Sequence, residues 1–326
     1  MTNLKNLILA SLASMLLTSA PALAADVTIK VAYENNPGEP VDTMMHRWAD
    51  LVAEKSGGKV ALELYPSSQM GSKNDIIDQA MMGTNVVTIA DPGFLTDFDP
   101  DWGVLYGPYL ADSPDQLFKL FDGEWFAQKS QELQGKGLRI IIPNYMYGQR
   151  QLLANKKVET PADMKGMKIR TPNNPMQIKA IELMGGTPTP MPLGDVYPAL
   201  TQGIIDGVEN PLSVLHGQKL DEQAKELSMI SYLTTTGLWL GGEAYFSSLD
   251  PDVVEMLEET GYEIGLESQT QAEQDDADIL AAMEAMGVHV TRPDLAPFRE
   301  VSRDFYTQFP QWSDGLYETI QAELKK

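Results

Sequence analysis

Two side chains in one segment, Arg170 and Asn210, are the most promising candidates for chemistry in this sequence. The segment runs from Lys168 to Pro211; it begins KIRTPNNP and ends DGVENP. The guanidinium of Arg170 is permanently charged and can donate two parallel hydrogen bonds to a carboxylate, while an amide both donates and accepts. The segment is rich in proline and has no nucleophile with a base, no metal-ligand cluster and no phosphate loop. We therefore expect it to hold a small anion rather than to transform it.

A second arginine, Arg150, has a similar sequence context. It ends the run YGQR, as Arg170 ends MKIR, so both arginines are predicted to lie within or at the end of an apolar strand. An arginine in a strand can equally be an edge residue or a salt-bridge partner, and Asn210 can be a turn residue before Pro211. The residues alone leave these alternatives open.

The sequence gives little support to catalytic or metal-binding classes. It has no cysteine, which excludes thiol catalysis and thiolate metal sites. Its three histidines (His46, His216 and His289) are far apart, and no HExxH, GxSxG, Walker or GxGxxG motif occurs. We predict no metal, no cofactor and no enzymatic activity. An extracytoplasmic enzyme on a similar fold remains the alternative, and recovery of intact ligand from the purified protein would exclude it.

The chain is strongly acidic, with a formal net charge of −22. Such a surface repels nucleic acid, so no nucleic-acid partner is expected. An anionic ligand must bind against this overall field, and its site must therefore be locally positive.

The N-terminus has the pattern of a signal peptide. Lys5 precedes the short apolar run LILASLASMLL, and Ala22-Leu23-Ala24 forms a small-residue cleavage site. The alternative, a membrane anchor, is disfavoured because the run is too short to span a bilayer comfortably. We predict residues 1–24 to be a signal peptide, cleaved after about Ala24 on export to the periplasm.

Hydrophobic periodicity predicts alternating strands and helices, as in an α/β layer with parallel strands. At 326 residues the chain exceeds one ordinary core, which predicts two such lobes. Glu34 and Asp91 follow predicted strands, at the carboxyl ends where ligands bind in open sheets. The expected elements are strands at Val27–Tyr33, Val60–Pro66, Asn85–Asp91, Leu138–Pro143, Gly148–Asn155 and Met167–Thr171, helices at Val41–Lys55, Asn74–Met82, Pro114–Gln134 and Asn174–Met184, a helix from Leu212 towards Leu227, a strand pair at Thr234–Ser247 and a very long helix from Asp250 to Gly287.

The motifs LYPSSQMG, VTIAD, DMKGMKIRTP, ALTQGIIDGVENP and VTRPDLAPF occur in this order along the chain. Together they resemble the substrate-binding proteins of TRAP (tripartite ATP-independent periplasmic) transporters, the DctP-type family, over nearly the whole chain after residue 24. The resemblance implies that Arg170 forms a salt bridge with the ligand carboxylate, that Arg150 adds to it and that Asn210 hydrogen-bonds the ligand. Glu34 and Asp91 correspond to positions that vary with substrate, and Trp239 would form an apolar wall.

The resemblance also implies an α/β, two-lobed periplasmic-binding-protein-like fold with a hinge and a long helix spanning both lobes. Residues 25–147 plus 236–275 would form lobe I, and 148–235 plus 276–326 lobe II. The implied function is capture of an organic acid, by a monomer, for the small and large membrane subunits of a sodium-driven transporter. Acids at positions 34 and 91 favour a sugar acid such as a uronate or aldonate; a C4-dicarboxylate, or a role as ligand-reporting partner of a sensor kinase, is the alternative.

Overall fold

The first three strands form a parallel unit that continues into a sheet running through the whole molecule. In the computed structural model, which describes residues 25–326, the strand order is β2-β1-β3-β9-β4-β7-β5-β6, with β8 beside β4 and β10 beside β8. The strands are β1 (Val27–Ala32), β2 (Val60–Tyr65), β3 (Val86–Ala90), β4 (Leu138–Ala154), β5 (Lys168–Thr171), β6 (Thr187–Pro190), β7 (Gly207–Pro211), β8 (Glu226–Ser228), β9 (Thr234–Gly242) and β10 (His289–Thr291). The predicted signal peptide lies outside the described residues.

Helices cover the sheet where apolar residues recur at helical spacing. In the first helix, Met45, Trp48 and Val52 are fully buried, and the indole of Trp48 donates to Thr260 Oγ1 at 3.0 Å. The helices are α1 (Pro40–Lys55), α2 (Lys73–Met81), α3 (Pro114–Phe118), α4 (Glu124–Gly135), α5 (Pro175–Leu183), α6 (Val196–Thr201), α7 (Leu212–Gly217), α8 (Glu243–Phe246), α9 (Pro251–Ala285), α10 (Ala296–Ser302) and α11 (Leu316–Glu323). None of the helices within residues 25–326 has the length and apolar character needed to cross a lipid bilayer.

Strand β4 belongs to both halves of the sheet. Its residues up to Gln149 pair antiparallel with β9, and from Arg150 onwards they pair antiparallel with β7. At the change of partner, Gly148 has a φ of +131°, and the register with β9 shifts between Met146 and Gly148. The predicted two-lobed α/β fold is confirmed, and β4 joins its halves.

Helix α9 packs on both halves, which confirms the predicted long helix. Near its start Glu258 pairs with Arg139 of β4 at 2.8 Å, and Thr260 accepts the hydrogen bond from Trp48 of α1. Near its end the fully buried Met283 joins a core with Leu215 and Val288 from the second half. Helix α9 therefore contacts both halves of the molecule.

Four predicted elements were wrong in their extent. The strands expected at Leu138–Pro143 and Gly148–Asn155 are parts of the single strand β4, because the intervening residues keep their pairing with β9. The helix expected at Pro114–Gln134 is broken at Gly123, which is extended (φ −86°, ψ 161°). The helix expected from Leu212 ends at Gly217, before Lys219 takes a left-handed φ of 57°.

The strand pair expected at Thr234–Ser247 is also wrong. It is one strand, β9, followed by the short helix α8. A Cβ atom at Gly242 would lie 1.9 Å from the carbonyl oxygen of Ala80 in α2. Glycine there lets α2 cross close over the end of the strand, so Gly241-Gly242 marks a helix contact rather than a hairpin turn.

The proposed lobe boundaries, 25–147 plus 236–275 and 148–235 plus 276–326, stay a prediction. The C-terminal residues contact both halves. The backbone N–H and hydroxyl of Ser313 donate to the carboxylate of Asp101, and Tyr306 donates to the carbonyl of Pro108 at 2.9 Å, while Phe298 and Phe305 are buried near α5. The end of the chain therefore helps to hold the two halves together.

Candidate functional site

Arg170 is buried in the centre of the second half of the sheet. It lies on β5, opposite Val208 of β7 and Thr189 of β6, and only 3% of the residue is exposed. Its Nε and NH2 groups donate to the carbonyl of Met191 at 3.0 and 2.7 Å. Within residues 25–326 no carboxylate lies within 4.0 Å of the guanidinium. Burial lowers the pKa of Arg170 to about 10, an effect that the charge of Glu34 opposes, so the side chain remains a cation at neutral pH.

Arg150 is a salt-bridge partner within the protein. It faces Pro211 of β7 and forms a buried ion pair with Glu209 through its Nε, and its NH2 donates to Glu209 Oε1 at 3.1 Å and to the Glu209 carbonyl at 2.9 Å. Burial acts to lower the pKa of Arg150, but the adjacent carboxylate holds it well above the ordinary value. One of the alternatives left open by the sequence is thus realised. Ligand contact by Arg150 stays a prediction.

Glu209 is the centre of a hydrogen-bond network that the sequence did not indicate. Besides Arg150 it accepts a hydrogen bond from the hydroxyl of Tyr232 at 2.6 Å and from Gln177 Nε2 at 3.0 Å. Burial is the main cause that raises the pKa of Tyr232 well above its ordinary value, and the charge of Glu209 adds to it. The phenol therefore stays protonated and remains a hydrogen-bond donor. A carboxylate with four donors around it is fixed in place, and it fixes Arg150 in turn.

Strand β7, which carries Asn210, lies between β4 with Arg150 and β5 with Arg170. Asn210 is 3% exposed and pairs with Gln151. In the part of the chain that the structure describes, no protein group hydrogen-bonds its amide. A buried amide normally has partners. The vacant hydrogen-bonding capacity makes Asn210 available to a ligand.

Glu34 and Asp91, which follow the paired parallel strands β1 and β3, lie near the same ammonium. Between them is Lys73, whose Nζ lies 3.7 Å from Glu34 Oε2 and 3.6 Å from Asp91 Oδ2. The ammonium also lies 5.0 Å from the centre of the Phe94 ring. Sequence analysis missed Lys73. A signal existed, because Lys73 is the first residue of α2, where a cation opposes the helix dipole and therefore needs acidic neighbours.

A cavity between the two halves brings Arg170, Glu34 and Lys73 together, whereas Arg150, Asn210 and Asp91 are not among the residues around it. Its walls come from loops and strand ends on both sides of β4. Around it lie Glu34, Ser72, Lys73, Asn74 and Phe94 from the first half and Arg170, Pro172, Asn173, Met191 and Pro192 from the second. The cavity therefore has one buried guanidinium on one wall and an ammonium held between two carboxylates on the other.

Trp239 does not line this cavity. It is fully buried in a core cluster, edge-on to the rings of Tyr33 and Tyr145, each with ring centres 6.1 Å away. Its role as an apolar wall stays a prediction. The apolar side chains around the cavity are those of Phe94, Pro172, Met191 and Pro192. In residues 25–326 no group of three or more His, Asp or Glu side chains is placed to hold a metal ion.

Two α/β lobes joined by shared strands, with a buried arginine facing the cavity between them, define a solute-binding protein. Comparison with known proteins gives the family. Residues 31–311 match the model of DctP, described as bacterial extracellular solute-binding protein, family 7. The chain belongs to this family, the solute-binding proteins of TRAP transporters.

Solved structures of relatives have the same fold. A TRAP periplasmic solute-binding protein from Ochrobacterium anthropi with bound L-fuconate is 58% identical, with a TM-score of 0.91 over 92% of this chain and 100% of that one. A second, from Actinobacillus succinogenes with bound L-galactonate, is 40% identical, with a TM-score of 0.90 over 91% and 99%. The 2,3-diketo-L-gulonate-binding periplasmic protein YiaO of Escherichia coli (strain K12) is 30% identical over 91% of this chain and 92% of its own.

Proposed function

We propose that this protein binds a monocarboxylate sugar acid, an aldonate or uronate, and delivers it to the small and large membrane subunits of a TRAP transporter. The observation that carries the proposal is the guanidinium of Arg170, which is buried, charged and without a carboxylate partner within residues 25–326. A buried cation of this kind needs an anion to compensate it. The carboxylate of the ligand supplies that anion when it enters the cavity.

The hydroxyl groups of the ligand would extend towards Glu34 and Asp91. Carboxylates accept hydrogen bonds from hydroxyls. Asn210 would hydrogen-bond the end of the ligand near Arg170. Hydrogen bonds to charged groups contribute about 1.5–3 kcal/mol each, so a few of them support a dissociation constant of about 1 μM.

The acids bound by the similar proteins, L-fuconate and L-galactonate, support a sugar acid over a C4-dicarboxylate. The first lobe adds a physical reason. Lys73 compensates only one of the two carboxylates beside it, so this wall keeps a net negative charge. A second ligand carboxylate there would be repelled, whereas neutral hydroxyls would not.

Export to the periplasm by the predicted signal peptide and release of the ligand unchanged, without catalysis, are part of the proposal. Mass spectrometry of ligand released from the denatured purified protein tests both the acid and its integrity. Thermal-shift measurements with L-fuconate, L-galactonate and D-glucuronate, against succinate and malate, test the class. Stabilisation by succinate or malate but by no sugar acid contradicts the proposal.

Delivery to the membrane subunits is tested separately. Proteoliposomes that contain the two subunits should accumulate the bound acid only when this protein is added. Accumulation at the same rate without the protein would contradict the delivery role and leave the binding role intact.

A further inference from the structure

We propose that Lys73 is a positioning residue: by holding the carboxylate of Glu34, it keeps that carboxylate from becoming the counter-ion of Arg170. The guanidinium then stays open to the carboxylate of the ligand. The inference rests on the proposed function and goes further, because it assigns Lys73 a role in the unliganded protein. Lys73 would act through Glu34 rather than through contact with the ligand.

The charges of the cavity set up a competition for Arg170. Glu34 and Arg170 line the same cavity, and Glu34 is the strongest favourable charge acting on the guanidinium. Even so, the two groups form no ion pair within 4.0 Å; the only ion pair of Glu34 in residues 25–326 is with Lys73, at 3.7 Å. If the Glu34 carboxylate moved across the cavity to Arg170, it would occupy the place proposed for the carboxylate of the ligand.

The surroundings of Lys73 strengthen its ion pair with Glu34. The side chains of Lys73 and Glu34 are only 11% and 16% exposed, so their interaction is less screened than a surface pair. Asp91 on the other side, at 3.6 Å, and the ring of Phe94 keep the ammonium in place. Asp91 is the weaker competitor for Arg170, since it is not among the residues around the cavity that Glu34 and Arg170 share.

Removing the ammonium of Lys73 should therefore let the carboxylate of Glu34 compete with the ligand for Arg170. In Lys73→Met the carboxylate of Glu34 has lost the cation beside it. It then faces the guanidinium of Arg170, which has no carboxylate partner within residues 25–326. Each ligand must then displace Glu34, and the affinity for a sugar acid should fall by roughly tenfold or more, the effect of losing one charge-assisted hydrogen bond. In Lys73→Met with Glu34→Gln the competitor is neutral, and most of the loss should be recovered.

A double-mutant cycle measured by calorimetry with L-fuconate tests the proposal. The set comprises the native chain, Lys73→Met, Glu34→Gln, the double variant and Lys73→Arg, which keeps the cation and should bind nearly as the native chain does. Circular dichroism and thermal unfolding check that each variant folds, and Lys73→Gln replaces Lys73→Met if the latter does not. Rescue by the second substitution supports positioning.

The opposite results overturn it. If Lys73→Met weakens binding by the same factor in the Glu34→Gln background as in the native chain, Lys73 contacts the ligand directly and the positioning role is wrong, while the proposed function stands. If Lys73→Met binds as tightly as the native chain, Glu34 does not compete and the inference is again wrong. If the native chain binds no sugar acid at all, the proposed function fails and this inference with it.

Discussion

The guanidinium of Arg170 and the carbonyl of Met191 are joined by two hydrogen bonds, from Nε at 3.0 Å and from NH2 at 2.7 Å. The single oxygen holds the guanidinium plane from one side and leaves other N–H groups of the fork for a ligand. This arrangement needs a planar group with several donors, which only arginine has. Binding specificity therefore depends on the shape of the side chain as well as on its charge.

Arg170→Lys should weaken binding of a sugar acid strongly. An ammonium cannot bond Met191 and a carboxylate in the same plane, and the loss of one or two charge-assisted hydrogen bonds corresponds to about a 10–100-fold weaker affinity. Isothermal titration with L-fuconate measures it. Arg303→Lys, on the exposed surface, is the matched control and should leave the affinity unchanged. Equal affinity of Arg170→Lys and the native chain would contradict the assignment of Arg170 as the carboxylate receptor.

Glu209→Gln should destabilise the fold as well as weaken binding. It leaves the buried guanidinium of Arg150 without a counter-ion, and breaking such a pair costs about 3–5 kcal/mol. Tyr232→Phe removes only one neutral donor from the same carboxylate and should cost about 1–2 kcal/mol. Urea unfolding of the two variants gives both free energies. A larger effect of Tyr232→Phe than of Glu209→Gln would show that the ion pair is not what holds Arg150.

Much of the fold could be predicted because burial dictates the sequence pattern of its regular elements. The first parallel unit and helix α9 have apolar spacing that matches their packing, and their predicted bounds differ from the observed ones by at most a few residues. The errors occur where tertiary contacts override local pattern. Residues 144–147 were expected to separate two strands, yet they stay in β4 because β9 supplies partners for Tyr145 and Met146.

The candidate site could be predicted only in part. The sequence singled out Arg170, Asn210, Glu34 and Asp91 because arginine, amide and acids near strand ends have distinctive chemistry, and their contact with a ligand stays a prediction. Lys73 was missed because a lysine at the start of a helix is a weak signal by itself, and only the folded chain shows that two acids that follow different strands surround it. The pairing of Arg150 with Glu209 depends on strand register, which a single sequence does not specify.

Glu39 should make stability depend on pH. Its carboxylate is buried and accepts hydrogen bonds from Asn35, from the backbone of Asn36 and, at 2.9 Å, from Gln218 across the junction of the halves. Burial raises the pKa of Glu39 from 4.5 to about 7. The folded state thus binds the proton more tightly than the unfolded state, so the stabilisation is fully present below about pH 4.5 and is lost as pH rises through about 7.

The full shift of the Glu39 pKa corresponds to roughly 3 kcal/mol in the free energy of unfolding. Glu39→Gln cannot titrate, so thermal unfolding between about pH 4.5 and 8 should show a smaller decline of the melting temperature in this variant than in the native chain. Asp276, whose pKa burial raises to about 6, acts in the same direction, and the difference between the two proteins isolates Glu39. The exposed Glu54→Gln is the control. Parallel pH curves for native and Glu39→Gln would contradict the prediction.

Gly148→Ala should lower both the melting temperature and the affinity. The φ of +131° is strained for any residue with a side chain, which costs about 1–3 kcal/mol. The new Cβ would also lie 2.6 Å from Cβ of Pro211, the residue that follows Asn210 and pairs with Arg150. Pro211 must shift to make room, and the shift would displace Asn210, the proposed ligand contact next to it in β7. Gly135→Ala, at the end of α4 with no atom within 4 Å of the added carbon, is the control and should leave the affinity unchanged without lowering the melting temperature, because alanine is the better helix former. Thermal unfolding and calorimetry with L-fuconate measure the two effects. If Gly148→Ala melts and binds as the native chain does, β4 tolerates a side chain where its pairing partner changes, and glycine is not required at the junction of the lobes.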